Sequence, residues 1–504
     1  MEFVGTIAFP LTPALSPRER EDFSPPVVQN CRRLSRATLC TARDPSTLFP
    51  LPEGEGQGEG NTMSPETGAS EHSRNGPTSR AFRYSQNFSK TTMSAHNRPA
   101  AEPPLDLSRW RKAPNVLMVA GGALAVLGWA LNAQQFGYSW LFAYMFFLSF
   151  CLGALFLVLV HHLFDASWSV PIRRYVEHMA CLAPFMAALF VPVAILAPRI
   201  YEWMHRLQTG EIDHSLHAKQ PLFTLPMFYI VAVLCFLIWV VLTNRLRYWS
   251  LRQDQTGAAE CTFKMRFYSF WGIFAFAITL TLAAIMWMKA LQHEWFSTMY
   301  GVWYFSASVW VTLATVYLIA VLLKRQGPLR EVVQEKQIYF IGSLMLAFTV
   351  FWAYISFSQY FIIWNANMPE ETFWYVVREK GSWDMVGKYV IIFGHFFLPF
   401  LMLLRIDWKL KLSIMLPLCA WAWLMHFFDM SFNILPAGRP DGFSFQWLWL
   451  DLGCLAFIGG LLSKVFVKNL NAHAAFPQKD PRMAEGLDIY IPPAGPAPSP
   501  GGAK

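Results

Sequence analysis

Between about Pro114 and Phe466 the chain is a succession of ten apolar stretches, each about as long as a bilayer is thick. A helix crossing a hydrocarbon core of ~30 Å needs about 20 apolar residues. Lipid offers the backbone no hydrogen-bond partners, so only helices and closed barrels can cross it. The runs predict an all-α membrane protein, with spans at approximately 114–135, 139–163, 174–198, 221–243, 265–290, 301–323, 338–364, 384–404, 412–430 and 445–467. Charged residues make up 15% of the chain, against about 25% in soluble domains. The formal net charge of +8 therefore does not point to nucleic acid, because Lys and Arg fall in short connections between spans.

Those cations are unevenly spread. The two flanks and the even-numbered connections hold more than twice the Lys and Arg of the odd-numbered ones, where Arg199, Arg206, Lys219, Lys289, Arg378, Lys380, Lys388 and Arg439 lie. Positive charge resists translocation, so both termini are expected in the cytoplasm of a multi-pass inner-membrane protein. The 8 cysteines are scattered singly, without CxxC, CxxCH or a ferredoxin-like run, which predicts no iron–sulfur cluster, c-type haem or other metal on this chain.

Four regions follow. Residues 1–92 are rich in Pro, Ser, Gly, Arg and Glu and read as a disordered tail. LTPALSP (Leu11–Pro17) and GEGQGEG (Gly54–Gly60) look like translations of the two arms of one DNA inverted repeat, which predicts a natural start at Met93. Residues 93–113 form a flank, 114–467 the membrane domain, and 468–504 a Pro/Gly-rich C-terminal tail.

An ionisable side chain in hydrocarbon costs on the order of 3 kcal/mol or more, so each one needs a reason. His161, His162, Asp165, Arg173, Arg174, Glu177 and His178 gather where the second span ends and the third begins. Glu177 and Arg173, four apart on one helical face, can pair. The group reads either as an ion-pair network joining two helices or as a proton path, since His titrates near neutrality. His426 and Asp429 in the ninth span and Asp451 in the tenth are open to the same two readings. His395, near the middle of the eighth span, is a candidate quinone contact or a packing residue. Ser358 and Gln359 are expected to bond between helices, and Glu370 and Glu371 to cap a proline-initiated turn. Pro184, Pro192 and Pro198 should kink the third span and free carbonyls.

Several stretches are specific: HHLFDASWSVPIRRYVEHM (His161–Met179), FSTMYGVWYF (Phe296–Phe305), LLKRQGPLRE (Leu322–Glu331), LAFTVFWAYISFSQYFIIWNANMPEETFWYVVR (Leu346–Arg378) and GHFFLPFLMLLR (Gly394–Arg405). Together they resemble the F subunit of alternative complex III, a bacterial quinol:electron-acceptor oxidoreductase, over about Pro114 to Val467. The resemblance implies the polysulfide-reductase type of membrane anchor: ten transmembrane helices, with spans 2–5 and 6–9 forming two antiparallel four-helix bundles flanked by spans 1 and 10. It implies partner subunits, among them a homologous C subunit and chains carrying iron–sulfur clusters and haem c, with quinol as the substrate of the whole complex. A periplasmic carrier or a terminal oxidase would accept the electrons. Membrane lipid would surround this chain, which would support electron transfer from quinol and move protons. Two other functions fit the residues: an independent secondary transporter, and a purely structural anchor for soluble redox subunits.

Overall fold

A computed structural model describes residues 112–487, apart from residues 212, 328 and 444. The expected tail 1–92, most of the flank 93–113, and the end of the C-terminal tail lie outside the described residues. Within them the chain is helical and contains no strand. Nine helices are long and apolar enough to cross a membrane, or ten if one bent pair counts as a single span. The chain is a multi-pass all-α membrane protein.

The helices are α1 (Lys112–Leu131), α2 (Ala133–Leu163), the bent pair α3 (Ser167–Leu189) and α4 (Val191–Ile200), α5 (Leu225–Thr256) and α6 (Ala259–Gln292). Then come α7 (Tyr300–Gln326), α8 (Glu335–Ala366), the short α9 (Pro369–Arg378), α10 (Gly381–Leu404), α11 (Leu412–Ala437) and α12 (Phe445–Ala472). The expected spans fall on these helices, except that the third covers both α3 and α4 and the first runs past α1 into α2, and the differences have local causes. α1 and α2 are separated by Asn132 alone, whose extended backbone and side-chain bond to the Gln135 amide (3.0 Å) cap α2. The residues 136–138 expected between spans one and two are therefore helical and buried.

The third span bends by 52° between α3 and α4, where Pro192 opens the second half. Prolines leave the carbonyl four residues earlier without its helical donor. Pro198 so frees the Ala194 carbonyl, which accepts from Tyr229 Oη at 3.1 Å. Just before the bend, Trp140 Nε1 donates to Leu189 O at 3.1 Å. Side chains thus bond one carbonyl at the bend and one that Pro198 frees beyond it.

α2 and α7 form the centre. In each, 78% of the apolar membrane-length window is buried within the protein, against 44% or less in every other single span. Their long apolar rows admit little exposure because neighbours cover all sides: α3, α6, α7 and α12 pack against α2, and α8 and α11 against α7. The first and last helices pack on each other through small residues. A methyl group at Gly121 would sit 2.6 Å from the Gly453 carbonyl and 2.4 Å from the Phe457 nitrogen, so the α1–α12 approach requires glycine there.

α12 ends at Ala472, and residues 473–487 fold back over the start of α3. Part of the expected C-terminal tail is therefore packed.

Candidate functional site

Three buried polar groups meet the residues singled out in the sequence. The first joins the ends of α2, α3 and α5 to the segment after α12. Arg173 Nε lies 3.0 Å from Glu177 Oε1, the pair expected from the four-residue spacing. Arg174 Nη1 reaches Glu177 Oε2 at 3.3 Å and also pairs with Asp254 of α5. Arg173 pairs with Asp480, which accepts twice more from Arg482 (both 3.0 Å). Arg482 continues to Asp165 at 3.0 Å, and Asp165 is also held by Arg266. Ser250 donates to Glu177 at 2.9 Å. The result is one chain of alternating charge, Arg266–Asp165–Arg482–Asp480–Arg173–Glu177–Arg174–Asp254, its formal charges cancelling. Its middle is buried and its two ends are partly exposed. Burial alone would raise the Asp480 carboxyl, but Arg173 and Arg482 outweigh it and hold Asp480 well below the usual carboxylate range.

The histidines line this chain. Arg173 can only donate, so the 3.3 Å contact makes His161 Nε2 an acceptor and leaves the ring proton on Nδ1, 2.6 Å from Ser169 Oγ. Ser169 passes its own proton to Ala166 O at 3.0 Å. His162 stands edge-on to His161, and His178 stacks on His473 with centroids 5.8 Å apart. Neither His162 nor His178 has a hydrogen-bond partner on its ring nitrogens among the described residues.

The second group contains Asp451. Arg439 donates to both its oxygens (2.8 and 2.9 Å) and Ser139 Oγ donates to Oδ1 at 2.6 Å. Asp451 is fully buried and fully paired.

The third group is different. Asp429 of α11 is buried and accepts from Trp352 Nε1 of α8 at 3.1 Å and from Asn433 Nδ2 at 3.4 Å, with no Arg or Lys beside it. Its nearest titratable neighbour across helices is His395, whose Nε2 is 3.8 Å from Asp429 Oδ2. His395 lies in a π-helical stretch of α10, Val386–Phe397. Its ring is stacked between Trp310 (4.2 Å) and Trp352 (3.9 Å), and neither nitrogen has a hydrogen-bond partner among the described residues. π-turns widen a helix locally and collect at functional sites. One turn along α11, His426 Nε2 lies 2.9 Å from Ser149 Oγ. Ser149 spends its proton on Phe146 O (2.6 Å), so His426 is the donor and its Nδ1 stays bare. His426 and Asp429, three apart on one helix, look toward different helices, to Ser149 of α2 and Trp352 of α8.

Arg378, at the end of α9, closes this region. Its buried guanidinium donates to the carbonyls of Phe432 (2.8 Å), Asn433 (3.0 Å) and Trp374 (2.9 Å) and to Gln292 Oε1 (3.0 Å), and it lies 3.5 Å above the Trp374 ring. Gln359, expected to bond between helices, accepts from Ser297 at 2.7 Å and donates to Tyr375 at 3.2 Å. Glu370 and Glu371 occupy the first turn of α9, where acids suit the helix dipole.

Sequence reasoning passed over Arg378, Arg439, Asp480 and Arg482. A signal for the first two existed: both are cations on the side that is otherwise poor in them. A further cluster, Asp213, His293 and Glu294, has the spacing of a cation site. Arg206 already lies 2.9 Å from Asp213 and 3.6 Å from Glu294, and His293 bonds Asp213 at 2.7 Å, so protein groups already occupy its carboxylate oxygens. Beside it Lys219 Nζ bonds the carbonyls of His293 and Trp295; burial lowers this ammonium to about 8. The chain matches no protein-family model, and no curated protein matches it.

Proposed function

We propose that this chain is an integral membrane subunit of a quinol-oxidising respiratory complex of the alternative complex III kind, and that it moves protons while partner subunits carry electrons. In this reading the bent α3–α4 pair is one of ten spans. Spans 2–5 and 6–9 form two antiparallel four-helix bundles flanked by spans 1 and 10, and both termini face the cytoplasm of the bacterial inner membrane. The homologous C subunit binds quinol, and iron–sulfur and haem c subunits pass its electrons to a periplasmic carrier or terminal oxidase.

The observation that carries the proposal is the Asp429–His395–His426 constellation. Buried ionisable groups without a counter-charge in a membrane protein mark proton routes more often than scaffolding. Trp352 and Arg378 come from the LAFTVFWAYISFSQ…VVR stretch and His395 from GHFFLPF, two of the stretches that carry the family resemblance. A proton on Asp429 has His395 Nε2 as its nearest acceptor; 3.8 Å exceeds a hydrogen bond, so transfer needs a side-chain shift or a bridging water. His395 serves here in proton transfer rather than as the quinone contact, because indoles cover both ring faces. His161, His162, Asp165, Glu177 and His178 belong to the charge-balanced network, and Asp451 to its Arg439 pair; we assign both to holding helices together.

The test is purification in mild detergent followed by substitution. The chain should co-purify with haem- and cluster-bearing subunits; a lone monodisperse protein would favour the transporter. In the intact complex Asp429→Asn should abolish quinol-driven proton release, whereas Glu177→Gln should not change the protons released per quinol. Unchanged release in Asp429→Asn would leave the structural anchor, which the balanced network favours.

A further inference from the structure

Among the described residues, the buried carboxylates are Glu177, Asp429, Asp451 and Asp480, and the buried arginines are Arg173, Arg174, Arg378, Arg439 and Arg482. All but two of these have an oppositely charged Arg, Asp or Glu side chain within ion-pair distance. The two left over, Arg378 and Asp429, touch the same residue. Arg378 Nη2 donates to the Asn433 carbonyl at 3.0 Å, while Asn433 Nδ2 donates to the Asp429 carbonyl at 2.9 Å and to Asp429 Oδ1 at 3.4 Å. A guanidinium and a carboxyl group thus stand on either side of one asparagine, the first on its main-chain carbonyl and the second on its side-chain amide, each held by neutral partners. Carbonyls and an indole suffice for a guanidinium and a protonated carboxyl; an ionised carboxylate in the same place would attract the guanidinium strongly, because little water intervenes.

We infer that Arg378 and Asp429 are the halves of a switchable ion pair. They stand apart across Asn433 while Asp429 carries its proton and join once the proton has gone, so that Arg378 closes the relay on the α9 side. The inference rests on the proton-transfer reading above. In the step, the Asp429 O–H bond breaks and an N–H bond forms at His395 Nε2, leaving carboxylate and imidazolium. The guanidinium then exchanges the Phe432 and Asn433 carbonyls for the carboxylate, and Asn433 turns aside. Reprotonation of Asp429 releases Arg378 to the carbonyls. The titratable groups that face Asp429 are His395 from α10 and Tyr300 from α7; Arg378 of α9 lies across Asn433, His426 on the same helix turns to Ser149, and Trp352 of α8 donates without titrating.

A double-variant cycle tests this. Thermal unfolding of the full-length chain in its complex is followed for Asp429→Asn, Arg378→Gln and the double variant, at one acidic and one alkaline pH. At alkaline pH the double variant should lose less than the sum of the single losses; at acidic pH the losses should add. Arg378→Lys, which keeps the charge and guards against a fold that does not tolerate glutamine, should retain the alkaline coupling with Asp429→Asn. Additive losses at both pH values overturn the inference, and so does a coupling of equal size at both. Quinol-driven proton release separates the two levels. If Asp429→Asn abolishes release and the cycle shows no coupling, only the switch fails. If Asp429→Asn leaves release unchanged, the proton-transfer reading fails whatever the cycle shows.

Discussion

The α2–α3 end and the α8–α11 interior both bury histidines and carboxylates, yet they handle charge in opposite ways. At the α3 end every carboxylate meets a guanidinium, and Ser250 and Ser169 take up remaining bonding capacity. Around Asp429 the partners are an indole, an amide and an imidazole at 3.8 Å. Removing water from a charge is tolerable when geometry supplies a counter-charge; otherwise the group is better neutral. The first arrangement fixes helices in place. The second leaves a proton free to matter.

The comparison is broken or sharpened by four measurements, taken from the largest expected effect downward. Arg173→Leu takes one of two arginine partners from each of Asp480, which keeps Arg482, and Glu177, which keeps Arg174; breaking a buried pair costs about 3–5 kcal/mol. The thermal unfolding midpoint of the solubilised protein should fall steeply; a small change would mean the network is not what joins α3 to the C-terminal segment. Asp429→Asn keeps the indole bond and removes no ion pair, so its cost should stay near about 1 kcal/mol while proton release stops. A cost as large as that of Arg173→Leu would erase the contrast between the two regions.

The third concerns acid. The Asp480 carboxyl is held below its unfolded value, so its contribution is present above the unfolded pKa of about 3.9 and is lost as pH falls toward the folded value. Unfolding midpoints should drop on acidification, with a shallower slope in Asp480→Asn. The fourth is the smallest. Lys219 is lowered to about 8, against about 10.4 when unfolded, so between those values the unfolded chain binds more protons and stability rises with pH. Lys219→Met should remove that rise.

Much of the scaffold was legible because apolar length and the i,i+4 rule act locally. The spans, the Arg173–Glu177 pair and the kink at Pro192 each depend on neighbours in sequence. The tertiary partners did not declare themselves. Asp451 was recognisable as needing a partner, but Arg439 lay among loop cations; Asp480 and Arg482 sat in what composition describes as a tail. His395 looked like a lone imidazole because its contact with Asp429 is made by helix packing, which no spacing encodes. The break at Asn132 was missed because the apolar run continues across it and the first span was carried to position 135; Gln135 and Ser139 bond each other, and Ser139 reaches Asp451.

Asp480 lies 307 positions downstream of Arg173. The ribosome therefore delivers the guanidinium long before the carboxylate that completes it. Until Asp480 is made, the basic turn of α3 has Glu177 and Asp254 to neutralise it but lacks this clasp. The segment after α12 would act as a seal applied after the helices are inserted, and a chain lacking Asp480 and Arg482 would keep its spans without that lock.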